Sequence, residues 1–168
     1  MIPADPTERR DTHDEGYRQL GRRHGRVDMS LTPGAALLVA NALHLGFQGV
    51  VTSVVYPALR EVPAPEWGRA HAAHCRRIIW SVVPVYGLLA AACAWALLAG
   101  PRGVLSALAV AGASTAGLAT AVVAGPTHRR LAREGPTGTL LTRLRRADLV
   151  RLAGAIVGFC SALAVTVS

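Results

Sequence analysis

The chain has 168 residues, 51% of them hydrophobic and only 5% aromatic, with a formal net charge of +8. All eighteen basic side chains are arginine. They flank apolar runs rich in Ala, Val, Leu and Gly and do not form one soluble basic face, which sets nucleic acid aside and makes acidic phospholipid headgroups the expected polar partner. No Gly-rich phosphate loop, GxSxG elbow or CxxC pair occurs, so nucleotide-binding and soluble-hydrolase chemistry have nothing to stand on.

Residues 1–32 are a charged tail. Up to Ser30 it carries Arg9, Arg10, Arg18, Arg22, Arg23 and Arg26 against Asp5, Glu8, Asp11, Asp14, Glu15 and Asp28. It balances, and the whole net charge lies beyond it. Rich in charge and poor in apolar residues, the tail is expected to be disordered. The first apolar run starts near Pro33, behind this charge, which is not the pattern of a cleavable leader.

Residues 33–168 read as one domain of four transmembrane helices: "PGAALLVANALHLGFQGVVTSVVYP" (33–57), "IIWSVVPVYGLLAAACAWALLAG" (78–100), "VLSALAVAGASTAGLATAVVAG" (104–125) and "DLVRLAGAIVGFCSALAVTVS" (148–168). Each has the roughly 20 residues needed to cross a hydrocarbon core of about 30 Å. Lipid cannot satisfy free backbone groups, so the spans must be helical. The fold class is therefore all-α: an integral-membrane four-helix bundle behind a disordered tail. "GPRG" (100–103) closes a tight hairpin between spans two and three. Pro65, followed by Glu66, opens the second helix ahead of the lipid, Pro84 is placed to kink it, and Pro136 and Gly138 break the chain before the fourth helix. The two long links hold most of the arginines, among them Arg76, Arg77, Arg129, Arg130, Arg143, Arg145 and Arg146. The positive-inside rule puts those links in the cytoplasm of a multi-pass cell-membrane protein. The small-residue face "AGASTAG" of span three is suited to pack a neighbouring helix or a second subunit, which leaves a homodimer open.

Chemistry gathers in three places. Along span one, Asn41, His44, Gln48, Thr52 and Tyr56 recur at helical spacing, a polar stripe that belongs in a bundle interior. In "RAHAAHCRRIIW" (69–80), His71, His74 and Cys75 share one helix face, and Tyr86 continues that side. Beyond span three, "GPTHRRL" places His128 at the same membrane face, where Asp148 and Arg151 open span four, one turn apart and set to pair. His44, His71, His74, His128 and Asp148 are thus the expected metal ligands. Imidazole suits copper, iron or zinc and a carboxylate iron or zinc, and copper or iron is the expected cofactor. Tyr56, Tyr86 and Arg151 are the expected catalytic side chains, with Trp67 in the pocket wall. Cys75, Cys93 and Cys160 read as small buried hydrophobes.

The motifs "VVYPAL" at the end of span one, "PTHRRL" after span three and "RADLVR" entering span four resemble those of the anthrone-oxygenase-like family of small four-helix membrane proteins, from about Asn41 to the end of the chain. His71, His74 and Asp148, the last where an amide is expected, depart from that pattern. The resemblance implies an oxidative step on a hydrophobic or aromatic natural product, often within a biosynthetic cluster. Together these readings predict a membrane-embedded oxidoreductase, oxygenase- or oxidase-like, that uses a His-bound metal on a lipophilic substrate. The alternative is a non-enzymatic small transporter or accessory subunit, in which His44 relays protons or bonds between helices. A haem-binding bundle is less well served, because no two histidines are placed to sandwich a midplane haem.

Overall fold

The computed structural model describes residues 31–167. The expectation of disorder in the charged tail falls, up to Ser30, outside the described residues. The remainder forms four long helices and, among the described residues, no strands: α1 (Pro33–Arg60), α2 (Ala64–Ala99), α3 (Val104–Glu134) and α4 (Gly138–Val167), all long and apolar enough to cross a membrane. Each helix packs on the next in sequence and α4 returns to α1, with α3 and α4 making the most extensive contact. Large apolar side chains such as Trp80 and Leu98 point outward, 82% and 81% exposed. That is an inverted surface for water and an ordinary one for lipid.

The helix starts follow from local chemistry. Thr32 caps α1, its hydroxyl accepting a hydrogen bond from the Ala35 amide at 3.2 Å, with Pro33 in the first turn. A short 3₁₀ turn, Ala64–Glu66, leads α2, which then runs unbroken as an α-helix from Trp67 to Ala99, through Pro84. α2 therefore begins well before the apolar run, as Pro65 and Glu66 predict. Gly135, at φ +80°, ends α3. A side chain is strained in that conformation, which makes glycine the natural stop. The Leu140 amide then donates to Thr137 Oγ1 at 3.4 Å at the start of α4.

Two features exceed what the sequence foretells. First, α3 does not stop at Gly125 but carries "PTHRRL" as helix to Glu134. Second, α1 and α3 each contain a π-helical segment, Val51–Val55 and Ala119–Ala124. Each ends two residues before a proline, in the related stretches "TSVVYP" (52–57) and "TAVVAGP" (120–126). A proline lacks the N–H for the carbonyl four residues back, and its ring crowds that carbonyl. The wider turn removes the conflict: the Tyr56 amide bonds to the Val51 carbonyl and the Gly125 amide to the Thr120 carbonyl, five residues back in each case. The helix thus passes the proline without ending, with Tyr56 just before Pro57 and His128 two residues beyond Pro126. Single-turn π-bulges of this kind recur at functional sites.

The α3–α4 contact is made by glycine. A Cβ at Gly112 would strike the backbone of Gly154 and Gly158, and one at Gly158 would strike the Asn41 side chain. "GAIVG" (154–158) is a GxxxG step, and the small face of α3 packs on it, so the backbones approach closely. Gly112 and Ala116 of that face meet α4. Around this contact lies a dry core of Leu37, Ala40, Leu89, Ala92, Ala109 and Ala113. A second core, with Val51, Tyr56, Leu59, Trp67, Leu131 and Leu144, sits towards the long links.

Candidate functional site

Between the two cores the interior is polar. Asn41, His44, Gln48, His71, Thr127, Asp148 and Arg151 are all at most 5% exposed. In hydrocarbon each such group costs several kcal/mol unless partnered, so their partners define the site.

One half is an ion-pair network. Arg151 Nη2 donates to Asp148 Oδ1 at 3.0 Å and to the Tyr56 hydroxyl at 2.7 Å, while Gln48 Nε2 donates to the same Asp148 oxygen at 2.6 Å. The pairing expected from the 148/151 spacing is present and buried. Its position explains the polar stripe of α1: Gln48 and Tyr56 face α4 because the carboxylate and guanidinium need them. A buried charge pair is tolerable only when its remaining donors and acceptors are met. Here Gln48 and Tyr56 of α1 meet part of that need, and Arg151 Nε is left without a partner.

The other half is an aromatic stack that ends in metal-ligand chemistry. Trp67 stacks on His71, with ring centroids 5.2 Å apart, and His71 stacks on His128 at 5.4 Å. The Trp67 indole also donates to the Leu131 carbonyl at 3.4 Å, tying the start of α2 to the end of α3. His71 Nε2 lies 3.1 Å from His128 Nδ1, and Cys75 Sγ lies 3.7 Å from His71 Nε2. Donors bound 2.0–2.3 Å from one tetrahedral ion stand roughly 3.3–3.6 Å apart. The three residues each offer a ligand atom within 4.8 Å of the others, so His71, Cys75 and His128 can hold one ion.

Of the five ligands expected from sequence, the structure brings His71 and His128 together. His74 stands beside them, its ring 5.8 Å from that of His128. Asp148 is engaged by Arg151 and Gln48. His44 lies fully buried against Tyr86, with ring centroids 5.0 Å apart and no hydrogen-bond partner on either nitrogen. Asn41 Oδ1, Gln48 Oε1 and Arg151 Nε are likewise unpartnered. Of these residues only Arg151 lines the cavity between the two halves. Cys75, read from sequence as a small hydrophobe, is instead a donor atom at the cluster. The signal was available: on one helix face Cys75 follows His71 by four residues, the interval that aligns two ligands.

A cavity of about 230 Å³ joins the two halves. His74, Cys75 and His128 line one part, Tyr56 and Arg151 another, and Phe47, Val51, Ile78 and Val82 supply apolar wall. Tyr56 also sits 6.2 Å from His128, ring to ring. Tyr86 stands outside this wall but reaches it through its hydroxyl, 2.9 Å from Thr120 Oγ1. Trp67 likewise stands outside it, behind His71. A three-ligand centre, an apolar chamber and a hydrogen-bonding wall can together bind a lipophilic molecule with an oxygen or nitrogen at one end. No family model, curated protein or solved structure matches this chain.

Proposed function

We propose that this protein is a membrane-embedded oxidoreductase that uses a redox metal held by His71, Cys75 and His128 on a lipophilic substrate drawn from the bilayer. One observation carries the reading: three soft and borderline donors stand within reach of one ion, two of them on the wall of an apolar chamber. Three protein ligands with a further position left to water or substrate is the pattern of a catalytic centre, whereas structural centres close all four. Thiolate with two imidazoles suits copper. The carboxylate-rich set that favours iron is not assembled, because Asp148 is held by Arg151. When bound here, copper would supply one-electron chemistry towards dioxygen.

The protein's own residues do the rest. Phe47, Val51, Ile78 and Val82 bind the apolar body of the substrate. The Tyr56 hydroxyl and the free donor of Arg151 hold an oxygen substituent. Asp148 neutralises Arg151, so the wall offers hydrogen bonds without presenting a naked cation to a membrane interior. Trp67 fixes the plane of His71. The resemblance to the anthrone-oxygenase-like family agrees with this chemistry, and an aromatic natural product is a substrate of the right kind. The transporter alternative is disfavoured by the dry core of Leu37, Ala40 and Ala109, which closes the polar stripe of α1 at the far end.

Elemental analysis of detergent-purified protein tests the reading, with wild type beside His71→Ala and Cys75→Ser. About one copper per chain is expected in wild type, with loss in both variants and an absorption band from the thiolate–copper pair that Cys75→Ser removes. No metal retained after loading with copper, iron and zinc in turn would sink the reading. Zinc alone would leave a site but no redox function.

A further inference from the structure

A second cavity of about 230 Å³ lies between α1 and α4 and shares Tyr56 with the first. Its walls are Leu59, Leu141, Leu144 and Leu149, and its rim carries Arg60 and Arg145. Both arginines are exposed, and neither makes an ion pair among the described residues. Arg60 ends α1, and Arg145 lies two turns into α4, so both guanidinium groups stand at the Arg-rich end of the bundle, where lipid headgroups lie. Leu149, 49% exposed, continues the apolar wall away from that end.

The arrangement has the two parts an amphiphile needs in the right order. Two unpaired cations share one rim, and an apolar trough runs from them towards the hydrocarbon. Guanidinium groups bind phosphate oxygens in pairs, and an acyl chain is an apolar filler of such a trough. The remaining charge in the groove, Asp148, is already neutralised by Arg151, so it does not repel a phosphate. We propose that this groove is a specific binding site for an acidic phospholipid, with the phosphate held by Arg60 and Arg145 and one acyl chain lying along Leu144 and Leu149. The site is independent of the metal reading and stands or falls without it.

Native mass spectrometry of delipidated full-length protein supplied with phosphatidylglycerol or phosphatidylcholine decides the matter. One phosphatidylglycerol retained per chain, with at least about 10-fold preference over phosphatidylcholine, is the expected result. R60Q/R145Q should abolish that preference. The charge-matched control R76Q/R143Q, which removes arginines outside the groove, should keep it. L149W leaves both arginines in place and fills the trough, and it should also lose the lipid. Circular dichroism melts confirm that each variant is folded, which these exposed positions favour. Equal loss in R60Q/R145Q and in the control means diffuse headgroup attraction and overturns the proposal. So does retention in L149W, or displacement of the lipid by millimolar inorganic phosphate, since either outcome removes the trough from the recognition.

Discussion

The two ends of this bundle are built from the same four helices on opposite principles. Towards the GPRG hairpin, Ala40, Ala92, Ala109, Ala113 and Ala162 let helices close on one another, and Gly112, Gly154 and Gly158 bring backbones into contact. That end is apolar, and its cavity, lined by Leu89, Cys93, Ala113 and Gly117, is the smaller at about 160 Å³. Towards the long links, π-turns before Pro57 and Pro126 widen α1 and α3, large aromatic and imidazole rings stack, and a buried ion pair is held by side chains from α1 and α4. The lesson is a division of labour. Close packing of small residues is the chief attraction between helices in lipid, where the hydrophobic effect is absent. Concentrating it at one end leaves the other free to hold costly polar groups.

That contrast can be broken at either end. The largest effect is expected from Arg151→Leu, which strands Asp148 as an unpaired buried charge and should cost about 3–5 kcal/mol. A detergent melt reads the loss, and Arg151→Leu/Asp148→Leu should recover most of it. If the single variant melts like wild type, the ion pair does not organise the polar end. Next is the proposed metal site: His128→Ala removes a donor directly and should weaken metal retention at least about 100-fold, beyond the 10–100-fold that outer partners command. A competition titration against a chelator measures it. A change under threefold would place the ion elsewhere. At the dry end, Gly112→Val must push α3 off α4 and should cost about 1–3 kcal/mol or more while leaving metal content per folded chain unaltered. Loss of metal in step with stability would show that the two ends are not separable. The smallest effect belongs to Tyr86→Phe, which removes one interhelical hydrogen bond to Thr120 and should cost about 0.6 kcal/mol.

How much of this was legible beforehand depends on the range of the interaction. The spans were readable because length and hydropathy are local. So was the start of α2, because Pro65 and Glu66 carry their own instructions. The Asp148–Arg151 pair was readable because both residues lie on one turn. The small face of α3 was recognisable as a packing surface, but its partner, the GxxxG step of α4, required knowing which helix is adjacent. The extension of α3 through Pro126 was hidden, because proline ordinarily argues for a stop and a π-turn is the exception that lets the helix continue.

The candidate site divides in the same way. His71, His74 and Cys75 share a face by helical geometry alone, and His128 falls at the same membrane face by counting spans. Which of them meet is a matter of helix rotation and crossing, and those are set by side-chain packing far from the site in sequence. Trp67 stacks on His71 and anchors to the Leu131 carbonyl, which turns the ring towards His128 and draws Cys75 into the cluster. Asp148 is held by Arg151 and by Gln48, a hundred residues distant, and so belongs to the ion-pair network and not to the metal donors. Hydropathy and helical period need no partner, and they were enough for a four-helix membrane protein with a polar stripe along its first span and histidines beside the long links. Which of those residues form a donor set and which form an ion pair came from the packed bundle, because each pairing is a contact between helices and depends on how they turn against one another.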